Sequence, residues 1–273
     1  MANPVFNSSP AFSPKAAQRI AAREAAAPAI PTAGQLQQQF ALPDATADQM
    51  ERMTYQDTIF KTLAGFAVLL VGAALGWVFW PLAVVGLVVG LVLALVNTFK
   101  RKPSPALILG YALFEGFLVG GVSYFFSRMW DGIVPMALLG TLGVVGVTLA
   151  LFASGKVRAS KRATKVFLVA MVGYLAFSLI NLGLMAFGVT DSMYGLRGLN
   201  IPGTSIPLGI PLGILVVLMA AYSLVLDFDF IKRGVDAGQP RIYGWTAAFG
   251  IMVTVVWLYF EILRLLSFFL PRN

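Results

Sequence analysis

The sequence predicts an all-α fold in which seven transmembrane helices form a bundle, preceded by a flexible N-terminal tail. Composition indicates a membrane protein, because hydrophobic residues fill 58% of the 273 positions and charged residues only 12%, against about 25% in a typical soluble domain. The apolar residues are also concentrated after Phe60, in runs long enough to cross a bilayer. A helix needs about 20 apolar residues for that, because each residue rises about 1.5 Å across a hydrocarbon core of about 30 Å.

Residues 1–55 form the predicted tail, which we expect to be cytoplasmic, and residues 56–273 form the transmembrane domain. The first fifty residues are polar and contain the turn-forming segments NSSP at 7–10 and PAIPT at 28–32. They contain no apolar run long enough for a signal-peptide core, so we expect the first spanning helix to direct insertion.

Six interruptions divide the remainder into seven apolar runs. The first interruption is only Pro81, so one long kinked helix is an alternative there. Two helices with a tight turn fit better, because the combined run is about twice the length that a span requires. The predicted spans are 60–80, 82–99, 106–126, 133–153, 166–187, 208–230 and 245–270.

The charges in the loops predict the orientation of these helices. Lys and Arg are enriched in the cytoplasmic loops of membrane proteins. Here the second, fourth and sixth connections hold three, five and three basic residues, eleven in all, whereas the first, third and fifth hold only Arg128 and Arg197. This distribution predicts a cytoplasmic N-terminus and, after seven spans, an external C-terminus.

Several kinds of chemistry are excluded by the residues that the chain lacks. It has no cysteine and no histidine, which rules out disulfides, thiolate nucleophiles and Ser–His catalytic groups. The last span has no lysine for a retinal Schiff base, and no phosphate-binding loop occurs. We therefore expect no enzymatic activity and no resident metal or cofactor. Because the basic residues lie in short loops between apolar runs, the net charge of +8 indicates contact with lipid rather than nucleic acid.

Five ionisable residues interrupt the predicted spans, although a charge at the centre of a spanning helix costs at least about 2.5 kcal/mol. Asp227 is expected to face the bundle interior, and Asp229, close to a basic loop, to be solvated or salt-bridged. Glu261 and Arg264 are three residues apart and can pair on one helix face. Either they neutralise each other, or Arg264 holds Glu261 ionised in a cavity that Asp227 or Glu115 also lines. The five residues are Glu115, Asp227, Asp229, Glu261 and Arg264.

Glu115 shares a helix face with Tyr111 and Ser123. Its carboxyl is either part of the packing, protonated or hydrogen-bonded to a neighbouring helix, or it belongs to an ion or proton path. A second polar stripe, at i, i+4 and i+7 of the fifth span, indicates interhelical hydrogen bonds or, alternatively, a ligand site. That stripe is formed by Tyr174, Ser178 and Asn181.

Over residues 53–270 the sequence resembles the Bax inhibitor-1 or YccA-like family, the transmembrane BAX inhibitor motif proteins. The resemblance lies in four segments in the family's order: SPALILGYALFEG at 104–116, LGT at 139–141, LDFDFI at 226–231 and WLYFEILRLL at 257–266. NPVF at 3–6 and MTY at 53–55 are similar to an actinobacterial branch, which implies a bacterial plasma-membrane protein.

The resemblance implies a bundle with the seventh helix at its centre. It also implies a pH-sensitive calcium leak, closed by two hydrogen-bonded carboxyls on the sixth and seventh helices. Asp227 matches the first of these positions. Glu261 is the only acid available for the second and stands about one turn beyond the expected place, so its pairing with Arg264 is an alternative to this latch.

The resulting hypothesis is a passive pH-gated leak for calcium or other cations. Its latch and ion path would consist of Asp227, Glu261, Arg264 and Glu115, with secondary roles for Asp229, Asn181 and Tyr111. Loss of the shared proton would make the two carboxyls repel each other and open a path. The alternative is a membrane protein that does not transport and instead modulates a membrane-bound AAA protease or a stress response, with the tail as binding segment. A small-solute transporter is a third possibility.

Overall fold

The described residues of the computed structural model, 51–190 and 192–272, form seven long helices, each long and apolar enough to cross a membrane. This confirms the prediction of seven spans; the predicted tail falls mostly outside the described part of the chain. The helices are α1 (Tyr55–Val78), α2 (Leu82–Phe99), α3 (Pro105–Met129), α4 (Ile133–Ala153), α5 (Lys161–Ala186), α6 (Gly209–Asp236) and α7 (Gly244–Leu266).

Three helices, α1, α5 and α6, extend beyond their apolar runs. They do so at the end of the bundle where the α2–α3, α4–α5 and α6–α7 loops lie. We call this the basic end. Thr54 caps α1 by accepting a hydrogen bond from the backbone N–H of Asp57 (3.1 Å), and Ser160 caps α5 in the same way. These polar first turns, and the polar last turn of α6, explain why the helices are longer than hydropathy alone predicts.

The turn around Pro81 separates two helices, as expected. α1 ends at Val78 and α2 begins at Leu82, with Pro81 as the N-terminal cap residue of α2. Proline suits this position because it has no backbone N–H to satisfy and its φ angle already fits a helix.

α7 is the central helix of the described bundle. It packs against α1, α3, α4 and α6, and it is buried over a larger share of its length than the other six helices. Two apolar clusters meet on it: one joins Met252 and Val256 to α1 and α3, and the other joins Leu258 and Leu263 to α4 and α6. Tyr259, which belongs to the second cluster, shares a hydrogen bond of 2.6 Å with Ser123 of α3.

Glycines allow α1 and α3 to approach closely. A Cβ atom built on Gly72 would lie 3.1 Å from the Cα of Gly116, and one built on Gly76 would lie 2.9 Å from the Cα of Phe117. Small residues at such contacts let helix backbones pack directly in lipid, where the hydrophobic effect does not drive helices together.

The chain enters α1 beside the α6–α7 loop. The backbone N–H of Met53 donates to the carbonyl of Gln239 (2.7 Å), and the N–H of Arg241 donates to the carbonyl of Glu51 (2.6 Å). The buried ammonium of Lys61 contacts the carboxylate of Asp57 and donates to the carbonyl of Arg241 (2.6 Å). These contacts fasten the start of α1 to the loop that leads into α7.

Candidate functional site

Asp227 lies in the last third of α6 and faces α7. Its Oδ2 atom accepts a hydrogen bond from the hydroxyl of Thr254 (2.7 Å), which in turn lies 3.3 Å from the hydroxyl of Ser223. A Cβ atom on Gly250 of α7 would stand 3.1 Å from Oδ1, so glycine leaves room for the carboxyl there. The carboxyl of Asp227 and the hydroxyls of Thr254 and Ser223 therefore lie next to one another inside an apolar bundle.

A cavity of about 1010 Å³ leads from the basic end to this carboxyl. It lies between the end of α2, the start of α5, the last turns of α6 and the first turns of α7, and Asp227 is the only acidic residue among the described residues that line it. Its basic lining residues are Lys100, Arg101 and Arg233, the last of which pairs with Asp229 (2.8 Å). Asp229 is thus salt-bridged near the loop, as the sequence suggests.

Glu261 belongs to a different group of charges, near the opposite end of α7. Its carboxylate pairs with Arg264 (2.8 Å) and with Arg197 (3.4 Å), and it accepts a hydrogen bond from the hydroxyl of Tyr174. Arg197 also donates to that hydroxyl (2.7 Å). We call Tyr174, Arg197, Glu261 and Arg264 the Arg197 cluster. Glu261 is 3% exposed and Arg197 6%, so both charges are inside the protein.

Arg197 comes from the α5–α6 loop, which folds back into the bundle. A short 3₁₀-helix, Gly195–Gly198, carries it. Asn181 of α5 holds this segment from both sides, because its side chain accepts from the N–H of Leu196 (2.6 Å) and donates to the carbonyl of Tyr194 (3.2 Å). The guanidinium also lies over the ring of Tyr174, with 5.2 Å to its centroid. Arg197 also donates to the hydroxyl of Ser178 (3.5 Å), so all three residues of the polar stripe on α5 contact this loop.

Sequence reasoning did not identify Arg197 as a site residue, because it counted Arg197 as an ordinary loop charge. One feature of the sequence could have indicated its role: Arg197 stands between Gly195 and Gly198, and Asp191 is the only other charged residue in that connection. A lone arginine in a glycine-containing loop next to spans with unexplained carboxyls is a candidate for burial.

The expected latch between Asp227 and Glu261 does not form in this structure. Each carboxyl has its own partners among the described residues, Thr254 for Asp227 and the Arg197 cluster for Glu261. Thr254 and Glu261 are seven residues apart on α7, which is about 10 Å along the axis of a helix. Glu261 lies too far along α7 to reach the level of Asp227, so its pairing with Arg264 is the alternative that the structure supports.

Glu115 is also separate from Asp227. Its Oε2 atom faces Gly90 of α2, where an added Cβ atom would lie 3.1 Å away, and the cavity is lined by other residues. Tyr111, one turn before it, is buried and packs edge-on against Phe249 of α7, with 5.0 Å between the ring centroids. Tyr111 therefore serves packing, and neither Glu115 nor Glu261 lines the cavity that reaches Asp227.

The fold and these buried charges define a multi-pass helical membrane protein with an ionisable interior. A family model described as Bax inhibitor 1 like matches residues 3–270, and the chain therefore belongs to that family. No curated protein matches the sequence. The family assignment confirms the resemblance that the four segments of the sequence suggest.

Proposed function

We propose that this protein is a pH-sensitive passive leak for calcium or other cations, with Asp227 as its cation-binding carboxylate. The observation that supports this proposal is the cavity that ends at Asp227. Calcium is bound by oxygen ligands, chiefly carboxylates, carbonyls and waters. Asp227 supplies a carboxylate, and the hydroxyls of Thr254 and Ser223 place two further oxygens beside it. A single carboxylate with two hydroxyls favours brief binding during passage over tight retention.

In this proposal the structure represents the closed state, open toward the basic end and shut at the opposite end. The Arg197 cluster supplies the closure, because it contains two guanidiniums, which stay protonated, and one carboxylate. Its net positive charge repels cations, as arginines do in the pores of other channels. Passage then requires the α5–α6 loop to withdraw Arg197 from the cluster.

The proton in this mechanism acts at Asp227. A protonated Asp227 is neutral and offers little attraction to a cation, whereas the ionised form places one negative charge at the end of the cavity. We therefore expect flux to rise as the pH on the cavity side rises. The family resemblance implies a latch of two hydrogen-bonded carboxyls. In this mechanism a single carboxyl, Asp227, takes that place and accepts its hydrogen bond from Thr254.

Flux measurements on the purified full-length protein in liposomes, with a calcium dye inside, test the proposal. Asp227→Asn should give low flux that no longer changes with pH, because the amide cannot ionise. The matched control is Asp229→Asn, two residues away and salt-bridged to Arg233, which should retain the pH response. Absence of flux in the wild type, or an unchanged pH response in Asp227→Asn, would overturn the proposal.

We also propose that the basic end faces the cytoplasm of a bacterial cell, with the C-terminus outside. The burial of Arg197 supports this orientation, since Arg128 is then the only exposed basic residue in the described parts of the first, third and fifth connections. The chain has no cysteine, so Arg101→Cys offers a single thiol for labelling. It should react with an impermeant reagent only after the cytoplasmic side is opened; reaction in intact cells would reverse the orientation.

A second candidate function is the modulation of a membrane-bound protease or stress factor through residues 1–50. The contacts of Glu51 and Met53 with the α6–α7 loop favour it, because Met53 and Gln239 also line the cavity. A partner that holds the tail would then act directly on the cavity mouth. Deletion of residues 1–50 should abolish the effect on the partner and leave flux unchanged; loss of both would instead assign the tail to folding or to the leak.

A further inference from the structure

Glu115 lies near the middle of α3 (Pro105–Met129), and the residue is half-buried. Among the described residues its carboxyl makes no hydrogen bond and no ion pair. This distinguishes it from the other carboxyls within the spans, since Asp227 is bonded to Thr254 and Glu261 to two arginines. The proposed leak does not use Glu115, so its presence at this depth requires another explanation.

The helices around Glu115 carry no positive charge that could pair with its ionised carboxylate. α2 contains no ionisable residue, and neither does α1 from Thr62 to Val78. On α7 the titratable group before Glu261 is Tyr259, which is bonded to Ser123. The titratable group that faces Glu115 from its own helix is Tyr111, whose ring packs on Phe249. An ionised, unpaired carboxylate at the centre of a spanning helix is unfavourable, whereas a protonated one is tolerated.

α2 is the layer that covers this carboxyl toward lipid. Its two buried residues are Gly86 and Gly90, and most of its other side chains are exposed on the outside of the bundle. Glu115 Oε2 faces the bare backbone at Gly90, where a methyl group would already stand 3.1 Å away. Glu115 does not line the cavity at the basic end, so we infer that a reagent would approach it from the side, past the bare backbone at Gly90.

We propose that Glu115 is a proton-binding site within the bilayer, open to small apolar reagents from the lipid. Its ligand is a proton, and its diagnostic reaction is addition to an apolar carbodiimide. The carboxyl proton passes to one carbodiimide nitrogen while the carboxylate oxygen bonds to the central carbon; the acyl group then migrates to the other nitrogen to give a stable N-acylurea. The whole reagent is added and nothing leaves, and the reaction starts from the protonated carboxyl.

The other carboxyls differ in ways that make the reaction selective. Glu261 is 3% exposed and its oxygens are contacted by Tyr174, Arg197 and Arg264, so the reagent cannot approach them. Asp227 borders a polar cavity at the basic end, and Asp236 is exposed in an ion pair with Lys232. A water-soluble carbodiimide reaches those two positions, whereas an apolar one partitions into the bilayer and meets Glu115.

The experiment uses the full-length protein in liposomes, treated with dicyclohexylcarbodiimide and analysed by peptide mass spectrometry. We expect the adduct on Glu115, with a labelling rate that falls as pH is raised, and little adduct on Glu261. The water-soluble reagent should reverse the pattern and label Asp236. Glu115→Gln should remove the adduct. The modified residue is identified by peptide mass spectrometry of the wild-type protein, so the assignment to Glu115 does not depend on how well that variant folds.

Two results would overturn the proposal: labelling of Glu115 no faster than that of Glu261, or a rate that does not change with pH across the range in which the protein is stable. Neither depends on ion flux. A protein that labels at Glu115 and shows no calcium leak would refute the proposed function alone, and a leaking protein without the adduct would refute the proton site alone.

Discussion

Removing the carboxylate of Glu261 should destabilise the bundle strongly, because it would leave two guanidiniums without their counter-charge. Breaking a buried ion pair from one side costs about 3–5 kcal/mol. Arg197 is almost fully buried, whereas the side chain of Arg264 is 30% exposed and can be partly solvated. We therefore expect the lower end of that range, about 3 kcal/mol, for Glu261→Gln, which keeps the shape of the side chain.

The measurement is unfolding of the purified protein in detergent, followed by tryptophan fluorescence; Trp257 of α7 packs against Tyr174 of the cluster. The matched control is Asp236→Asn, the same loss of one negative charge at an exposed pair with Lys232, and it should change stability little. Adding Arg197→Gln to Glu261→Gln should restore part of the loss, since one of the two unpaired charges disappears.

The reasoning is refuted if Glu261→Gln is no more destabilising than Asp236→Asn. It is also refuted if the second substitution, Arg197→Gln, adds its own independent cost instead of recovering stability, because the two side chains would then not interact.

Two further predictions concern packing and the loop. Gly76→Ala should lower thermal stability clearly, because its methyl group would stand 2.9 Å from the backbone of Phe117, whereas Gly143→Ala, with nothing within 4 Å, should be neutral; equal melting temperatures of the two variants would contradict the close α1–α3 contact. Asn181→Ala should release the loop that carries Arg197 and increase flux in liposomes with little change in helix content, as seen by circular dichroism; unchanged flux would show that this loop does not close the path.

The seven spans follow from the sequence because the membrane imposes a simple rule on length and hydropathy. The rule holds even at Pro81, where about 40 apolar residues had to contain two helices. It predicts the ends less well, because turns such as those at Ser160 and Asp236 are stabilised by caps and ion pairs in water rather than by hydrophobicity.

The partners of the buried charges could be predicted only where they are close in sequence. Glu261 and Arg264 are three apart on one helix, so helical geometry predicts their pairing. Arg197 is 64 residues from Glu261. Its position depends on how a loop folds back into the bundle, and the spacing of residues in the sequence does not predict that. The same limit applies to Thr254 and Asp227, because any hydroxyl on the facing helix could have been the donor.

The two ends of the bundle are joined through α7, which carries both Thr254 and Glu261. Residues seven apart lie on nearly the same face of a helix, so a rigid movement of α7 would change the bond to Asp227 and the contact with Arg197 together. In the proposed leak, loss of the proton at Asp227 would in this way affect the opposite end without any contact between the two carboxyls. We expect the effects of Asp227→Asn and Asn181→Ala on flux to be non-additive for this reason; strictly additive effects would show that the two ends act independently.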